Sequence, residues 1–194
     1  MSPRLIVLAD AALEPWRNGG GVTRELLAWP SADAWRVRVS VADIESDGPF
    51  SAFPGVQRWF AVLQGSGVEL EIDGHVHRIG PADAPLKFEG TARTGCKLIE
   101  GPTRDLNLML HDACGRMLCA SAGVPWEPRS AHCALFTAVA GRCRHEGQEI
   151  AAPAHALLWF ERAPQALAFT PDAPAAGTIG WWIAAETGHH THEH

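Results

Sequence analysis

Apolar and polar residues alternate over short stretches of this chain, and glycine or proline closes most of them. Residues 34–42 are the clearest case. Trp35, Val37, Val39 and Val41 take one face of an extended strand there, and Arg36, Arg38 and Ser40 take the other. Val68-Glu69-Leu70-Glu71-Ile72 alternates again, and Asp73-Gly74 then predicts a tight hairpin turn. Residues 4–9, 58–63, 85–88, 97–100, 106–110 and 178–184 are further strand candidates. No stretch carries a long, capped helical period. Short strands separated by frequent turns predict an all-β sandwich or barrel.

The pattern also repeats. Phe60-Ala61-Val62-Leu63-Gln64-Gly65 resembles Phe136-Thr137-Ala138-Val139-Ala140-Gly141, and Ala84-Pro85-Leu86-Lys87-Phe88-Glu89 resembles Ala156-Leu157-Leu158-Trp159-Phe160-Glu161. Glycine hairpins, Asp73-Gly74 and Glu146-Gly147, lie between the anchors in both halves. Matching order at nearly matching separation predicts two related β units. The first has the rhythm of a cupin: strand, Gly-x-Gly, strand, glycine turn, strand, Ile79-Gly80, then a proline-bearing strand. The expected architecture is a bicupin, two cupin-like barrel or sandwich units packed as one globular protein. Residues 1–115 form the first unit, with a glycine-rich N-terminal loop. Residues 116–187 form a smaller second unit, and 188–194 a His-rich tail. Residues 101–129 join the units, and 171–177 read as a loop.

Composition supports a self-sufficient core: 46% of the 194 residues are hydrophobic. The net charge of −6, with no basic stretch, argues against a nucleic-acid surface. No run approaches the ~18 apolar residues of a membrane span, and residues 5–9 are too short for a signal segment. A soluble, cytoplasmic protein is expected, and cupin edge strands leave room for a homodimer. The five cysteines lack framework or zinc spacing and read as small buried hydrophobes in a reducing compartment.

Many cupins hold a metal through His-x-His, Glu and a later His, but residues 39–59 contain no histidine. His75-Val76-His77 follows the hairpin glycine, out of motif order; with Val76 inward, both histidines would point outward. His132, His145 and His155 lack ligand spacing, and the tail histidines read as incidental chelators. No metal and no cofactor are expected. The first lumen is left to hold an organic ligand by hydrogen bonds and charge.

The polar material for that site starts in residues 15–25, Pro-Trp-Arg-Asn-Gly-Gly-Gly-Val-Thr-Arg-Glu. Three glycines among polar residues suggest a contact loop, with the backbone N–H groups of Gly19 to Gly21 as an anion nest. The candidate ligand-binding residues there are Asn18, Gly19, Gly20, Thr23, Arg24 and Glu25. Arg38 and Ser40 join them from one strand face, with Ser51, Arg58, Asp105 and Asn107 from later segments. Trp16 is a candidate wall. An inward arginine requires an internal acid or an anionic ligand.

Residues 15–25, 37–42, 47–58 running into 62–67, and 101–109 together resemble the HutD/Ves family, across most of residues 14–110. The resemblance implies a bicupin without a catalytic metal, associated with histidine utilisation as a regulator or a sensor of a pathway intermediate. It further implies a small carboxylate ligand of the N-formylglutamate or urocanate class. The residues leave a rival open: a metal-independent hydrolase or isomerase acting on such an acid, with Glu25, Asp47 or Asp105 as general base.

Overall fold

A computed structural model describes residues 2–188. Among them the chain is almost wholly extended; Leu8–Asp10 is a single 3-10 turn. In the first half lie β1 (Arg4–Val7), β2 (Leu13–Pro15), β3 (Gly21–Trp29), β4 (Val37–Ile44), β5 (Gly48–Pro49) and β6 (Val56–Gln64). These are followed by β7 (Val68–Ile72), β8 (His75–Ile79), β9 (Leu86–Glu89), β10 (Thr94–Leu98) and β11 (Thr103–His111). The second half adds β12 (Cys114–Cys119), β13 (His132–Thr137), β14 (Gly141–His145), β15 (Gln148–Ala152), β16 (Ala156–Phe160), β17 (Leu167–Pro171) and β18 (Gly180–Glu186).

The strands form four sheets. A six-stranded sheet, β2-β3-β4-β11-β6-β9, faces the four-stranded β5-β10-β7-β8 across a lumen holding Phe60, Val62, Leu70 and Ile79. A five-stranded sheet, β1-β16-β13-β18-β12, faces the three-stranded β15-β14-β17 across a lumen filled by Leu135, Leu158, Phe169 and Trp182. The two larger sheets pack against each other through Val39, Val41, Leu106, Leu108, Phe136 and Trp181. Strands β4 and β11 are therefore covered on both faces. In β4 the odd positions Val37, Val39 and Val41 enter the core between units. The even positions turn to the first lumen, which sets the place of Arg38 and Ser40.

The repeat is legible in the pairing. β6 joins β9 and β11 as β13 joins β16 and β18, and β7 joins β8 and β10 as β14 joins β15 and β17. Both hairpins turn through left-handed residues, Asp73 and Gly74 at φ 48° and 85°, Glu146 and Gly147 at 46° and 74°. One anchor is slipped by a residue. Phe60 faces the first lumen, whereas Phe136 lies in the core between units, and Leu135 is the residue that faces the second lumen. With a side-chain period of 2, a one-residue slip exchanges faces.

Other expectations change. β1, assigned by the division 1–115 and 116–187 to the first unit, pairs with β16 of the second, from Arg4↔Trp159 to Val7↔Ala156. Residues 21–25, expected as loop, open the nine-residue strand β3; its leading glycine and its adjacent charges Arg24 and Glu25 obscure the period. Val76 points out and is 63% exposed, so His75 and His77 take the other face from the one expected, although both remain exposed. His75 and His77 share the sheet face of Leu70 and Ile79, on an exposed edge strand. Cys96, Cys133 and Cys143 are buried, but Cys114 and Cys119 on the edge strand β12 are exposed. The tail histidines 189–194 lie outside the described residues.

Candidate functional site

A cavity of about 550 Å³ opens into the first lumen, within the usual size range of small-molecule sites. Its charged wall comes from adjacent strands of the six-stranded sheet: Arg38 and Ser40 on β4, Asn107 on β11 and Arg58 on β6. The register sets Ser40 beside Asn107, and Asn107 beside Phe60. The turn between β2 and β3 brings Trp16, Arg17 and Asn18 to the cavity, and β3 adds Thr23. The segment after β5 contributes Phe50, Ser51 and Phe53.

Arg58 is the anomalous group. It is 6% exposed and has no acidic partner among the described residues. Its Nη2 donates to Asn107 Oδ1 at 3.3 Å, Nη1 makes a long 3.5 Å contact to the Ser51 carbonyl, and Nε has no partner. The rings of Phe50, Phe53 and Phe88 surround the guanidinium, with centroids 5.1, 5.6 and 5.0 Å away. Burial first, and the charge of Arg38 second, push its pKa down to about 10, so it stays protonated at neutral pH. A buried cation without a counter-ion is costly unless something anionic meets it.

The neighbouring groups complete the frame. Arg38 donates from Nε to Glu25 Oε2 at 2.6 Å. Trp16 Nε1 donates to Thr23 Oγ1 at 2.7 Å and fixes the indole at the mouth. A Cβ on Gly21 would strike the Asp43 carbonyl oxygen and crowd that indole, so glycine is required for the turn to close down. Apolar Ala42, Ile44, Phe60 and Met109, with Glu14, Pro15 and Pro49, form the rest of the wall.

Asn18, Thr23, Arg38, Ser40, Ser51, Arg58 and Asn107 thus meet at one cavity, as does Trp16. The other candidates lie elsewhere. The nest does not form: Gly19 N–H donates to the Trp16 carbonyl and Gly20 N–H to Asn18 Oδ1, both at 3.0 Å. These bonds close the turn and leave no convergent donors. Arg24 sits on the opposite sheet face, 3.0 Å from Asp43, which Arg104 also grips. Those two arginines, Arg104 foremost, hold the Asp43 carboxyl below the usual carboxylate range. Glu25 is bound to Arg38 at the edge of the cavity rather than in its wall. Asp105 shares the lumen face of Asn107 but is fully buried, outside the lining. Its Oδ2 accepts from Thr103 Oγ1 at 2.7 Å, its Oδ1 has no partner, and burial pushes its pKa up to about 8.

The aromatic box around Arg58 was the component missed from sequence. Phe50 and Phe53 bracket Ser51 in the chain, yet nothing local links them to a strand that begins at Val56. Among the described residues neither histidine nor cysteine lines the cavity. Among the described residues no group of three His, Cys, Asp or Glu side chains is placed to hold a metal ion.

With the geometry in place, comparison with known proteins is informative. The HutD family model matches residues 8–178. An uncharacterised protein from the hutC 3′ region of Pseudomonas putida is 42% identical over 109 residues, which cover 55% of this chain and 57% of that protein. Protein Ves of Citrobacter koseri is 39% identical over 103 residues, 51% of this chain and 53% of its own. The chain spans about half the length of these curated relatives. The structure of HutD from Pseudomonas fluorescens SBW25 (formate condition) superposes with a TM-score of 0.82 at 25% identity, covering 97% of this chain and 100% of that one. Cupin-fold neighbours with lower identity share the architecture. The chain belongs to the HutD family and has the doubled cupin-like fold.

Proposed function

We propose that this HutD-family chain binds a small carboxylate and acts as a regulatory or accessory protein, linked to histidine utilisation, rather than as a metalloenzyme. The observation that carries this reading is Arg58: a buried, protonated guanidinium with a free Nε, boxed by three phenyl rings, on the wall of an open cavity. An arriving carboxylate supplies the missing counter-charge. A charge-assisted hydrogen bond of this kind contributes about 1.5–3 kcal/mol. Asn107, Ser40 and Thr23 offer neutral donors and acceptors for the remainder of the ligand. The hutC-region name of the Pseudomonas putida relative supports the pathway link, and N-formylglutamate and urocanate are the acids of first choice.

The enzyme reading gains no comparable support. Of its three candidate bases, Glu25 is committed to Arg38, Asp47 accepts the Leu98 N–H at 2.8 Å, and Asp105 lies outside the cavity lining. The test is calorimetric titration with N-formylglutamate, urocanate, histidine and glutamate, with product analysis of the same mixtures. Saturable binding of one acid without product is expected, weakened about 10- to 100-fold in Arg58→Met. Turnover, or equal binding by Arg58→Met, would sink the proposal.

A further inference from the structure

Glu25 and Arg38 form a feature that carboxylate binding alone does not require. Arg38 spends Nε on Glu25, while neither of its terminal nitrogens has a protein partner among the described residues. The pair is partly sheltered, with side chains 21% and 30% exposed. The backbone is adjusted for it: the register between β3 and β4 shifts between Glu25 and Leu27. Glu25 stands opposite Ser40, on the lumen side, and Leu27 pairs with Val39 in the core between units. An extra residue of this kind re-aims side chains and is common beside functional sites. Here it lets one strand hold an acid beside the cavity and still fill the core.

Electrostatics supplies the reason. Arg38 and Arg58 line one cavity, and the charge of Arg38 already depresses the pKa of Arg58. Among the described residues Glu25 is the acid paired with Arg38; Glu14 also lines the cavity but forms no ion pair with either arginine. Arg24 and Arg104 are turned to the opposite face, where they share Asp43. A carboxylate on Nε relieves the repulsion and fixes the guanidinium plane, and the terminal nitrogens stay open to a ligand. An arginine fork fixed before the ligand arrives loses less conformational freedom on binding.

We infer that Glu25 is a positioning residue: it holds Arg38 by Nε so that the other edge of the guanidinium faces the ligand cavity together with Arg58. The inference rests on the carboxylate-binding reading above. Glutamine can keep the hydrogen bond from Nε without the charge, and alanine cannot.

The experiment compares wild type, Glu25→Gln, Glu25→Ala, Arg38→Ala and Glu25→Ala/Arg38→Ala by titration with N-formylglutamate and with urocanate. Glu25→Ala is expected to bind at least ten-fold more weakly than Glu25→Gln, which stays within about three-fold of wild type or tightens. In the Arg38→Ala background the Glu25→Ala change is expected to have little further effect, because a positioning residue acts through its partner. Equal affinities in Glu25→Gln and Glu25→Ala would overturn the inference and leave the carboxylate site standing. So would a full Glu25→Ala loss in protein already lacking Arg38. If neither acid binds wild type, the carboxylate reading fails and takes this inference with it.

Discussion

The two lumens of this protein are wired alike and filled differently. Strand pairing aligns them residue by residue. Arg58 faces Phe88 across β6 and β9; Cys133 faces Phe160 across β13 and β16. Asn107 stands between Ser40 and Phe60, and Trp182 stands between Leu118 and Leu135. In the first lumen an arginine and an asparagine border an open cavity. In the second, a cysteine and a tryptophan occupy the corresponding places, and Trp182 stacks on Trp126 at 4.9 Å. One backbone scheme thus encloses an open cavity or a packed core, according to a handful of inward positions. Under the proposed function, recognition falls to the first unit and mechanical support to the second.

The largest effect should come from undoing the packed lumen. Trp182→Asn gives the second unit the side chain found at the matching place in the first. It removes a 2% exposed indole from a close-packed region and adds an amide without assured partners. A loss of about 3–5 kcal/mol is expected in chemical denaturation, as for other large-to-small core changes. A loss under about 1 kcal/mol would mean that the second lumen is loosely filled and that the contrast is weaker than the geometry implies.

The reciprocal change in the first lumen should have the opposite sign for stability. Arg58→Met keeps a long side chain among Phe50, Phe53 and Phe88 and removes an unpaired buried charge. Replacement of buried charges by well-packed apolar groups is often neutral or stabilising by about 1–4 kcal/mol. Ligand-free Arg58→Met is therefore expected to be as stable as wild type or up to about 2 kcal/mol more stable. Thermal and denaturant melts without ligand check this. Marked destabilisation would identify Arg58 as a structural anchor for the phenyl box rather than a residue kept for binding.

This contrast was partly legible in the sequence, and where it was not, the reasons are local. Alternation across 37–41 places Arg38 and Ser40 on one face, because a strand's period of 2 survives in sequence. It leaves undecided whether that face meets solvent or a lumen; the covering comes from residues far away in the chain. Arg24 and Glu25 are adjacent in sequence and point to opposite sheet faces, which the expectation of a loop concealed. The glycines announce a tight turn, but not that its own carbonyl and Asn18 would use the N–H groups an anion nest needs. The solitude of Arg58 depends on distant residues that do not approach it, so no local motif records it.

Asp105 offers the finest test, because its counterpart in the second lumen is a glycine. Asp105 lies between Ala42 and Val62, as Gly180 lies beside Thr137. Burial holds its pKa near 8 in the fold, against roughly 4 in an unfolded chain. Between these values the folded protein keeps a proton that the unfolded chain releases. Stability from this residue therefore falls as pH rises from about 4 to about 8, and levels off above that. Asp105→Asn retains the shape and stays neutral at every pH in the window. Its stability relative to wild type should grow with pH, on the order of 1 kcal/mol per pH unit. Urea denaturation of both proteins at pH 5, 6.5 and 8 measures that difference directly. A difference that stays constant across the three pH values would mean the Asp105 carboxylate is already ionised in the fold. The first lumen would then carry a buried negative charge on the face it shares with Asn107, four strand positions from the level of Arg58. A rising difference instead means that the fold keeps Asp105 neutral, a cost that Gly180 at the matching place in the second lumen does not carry.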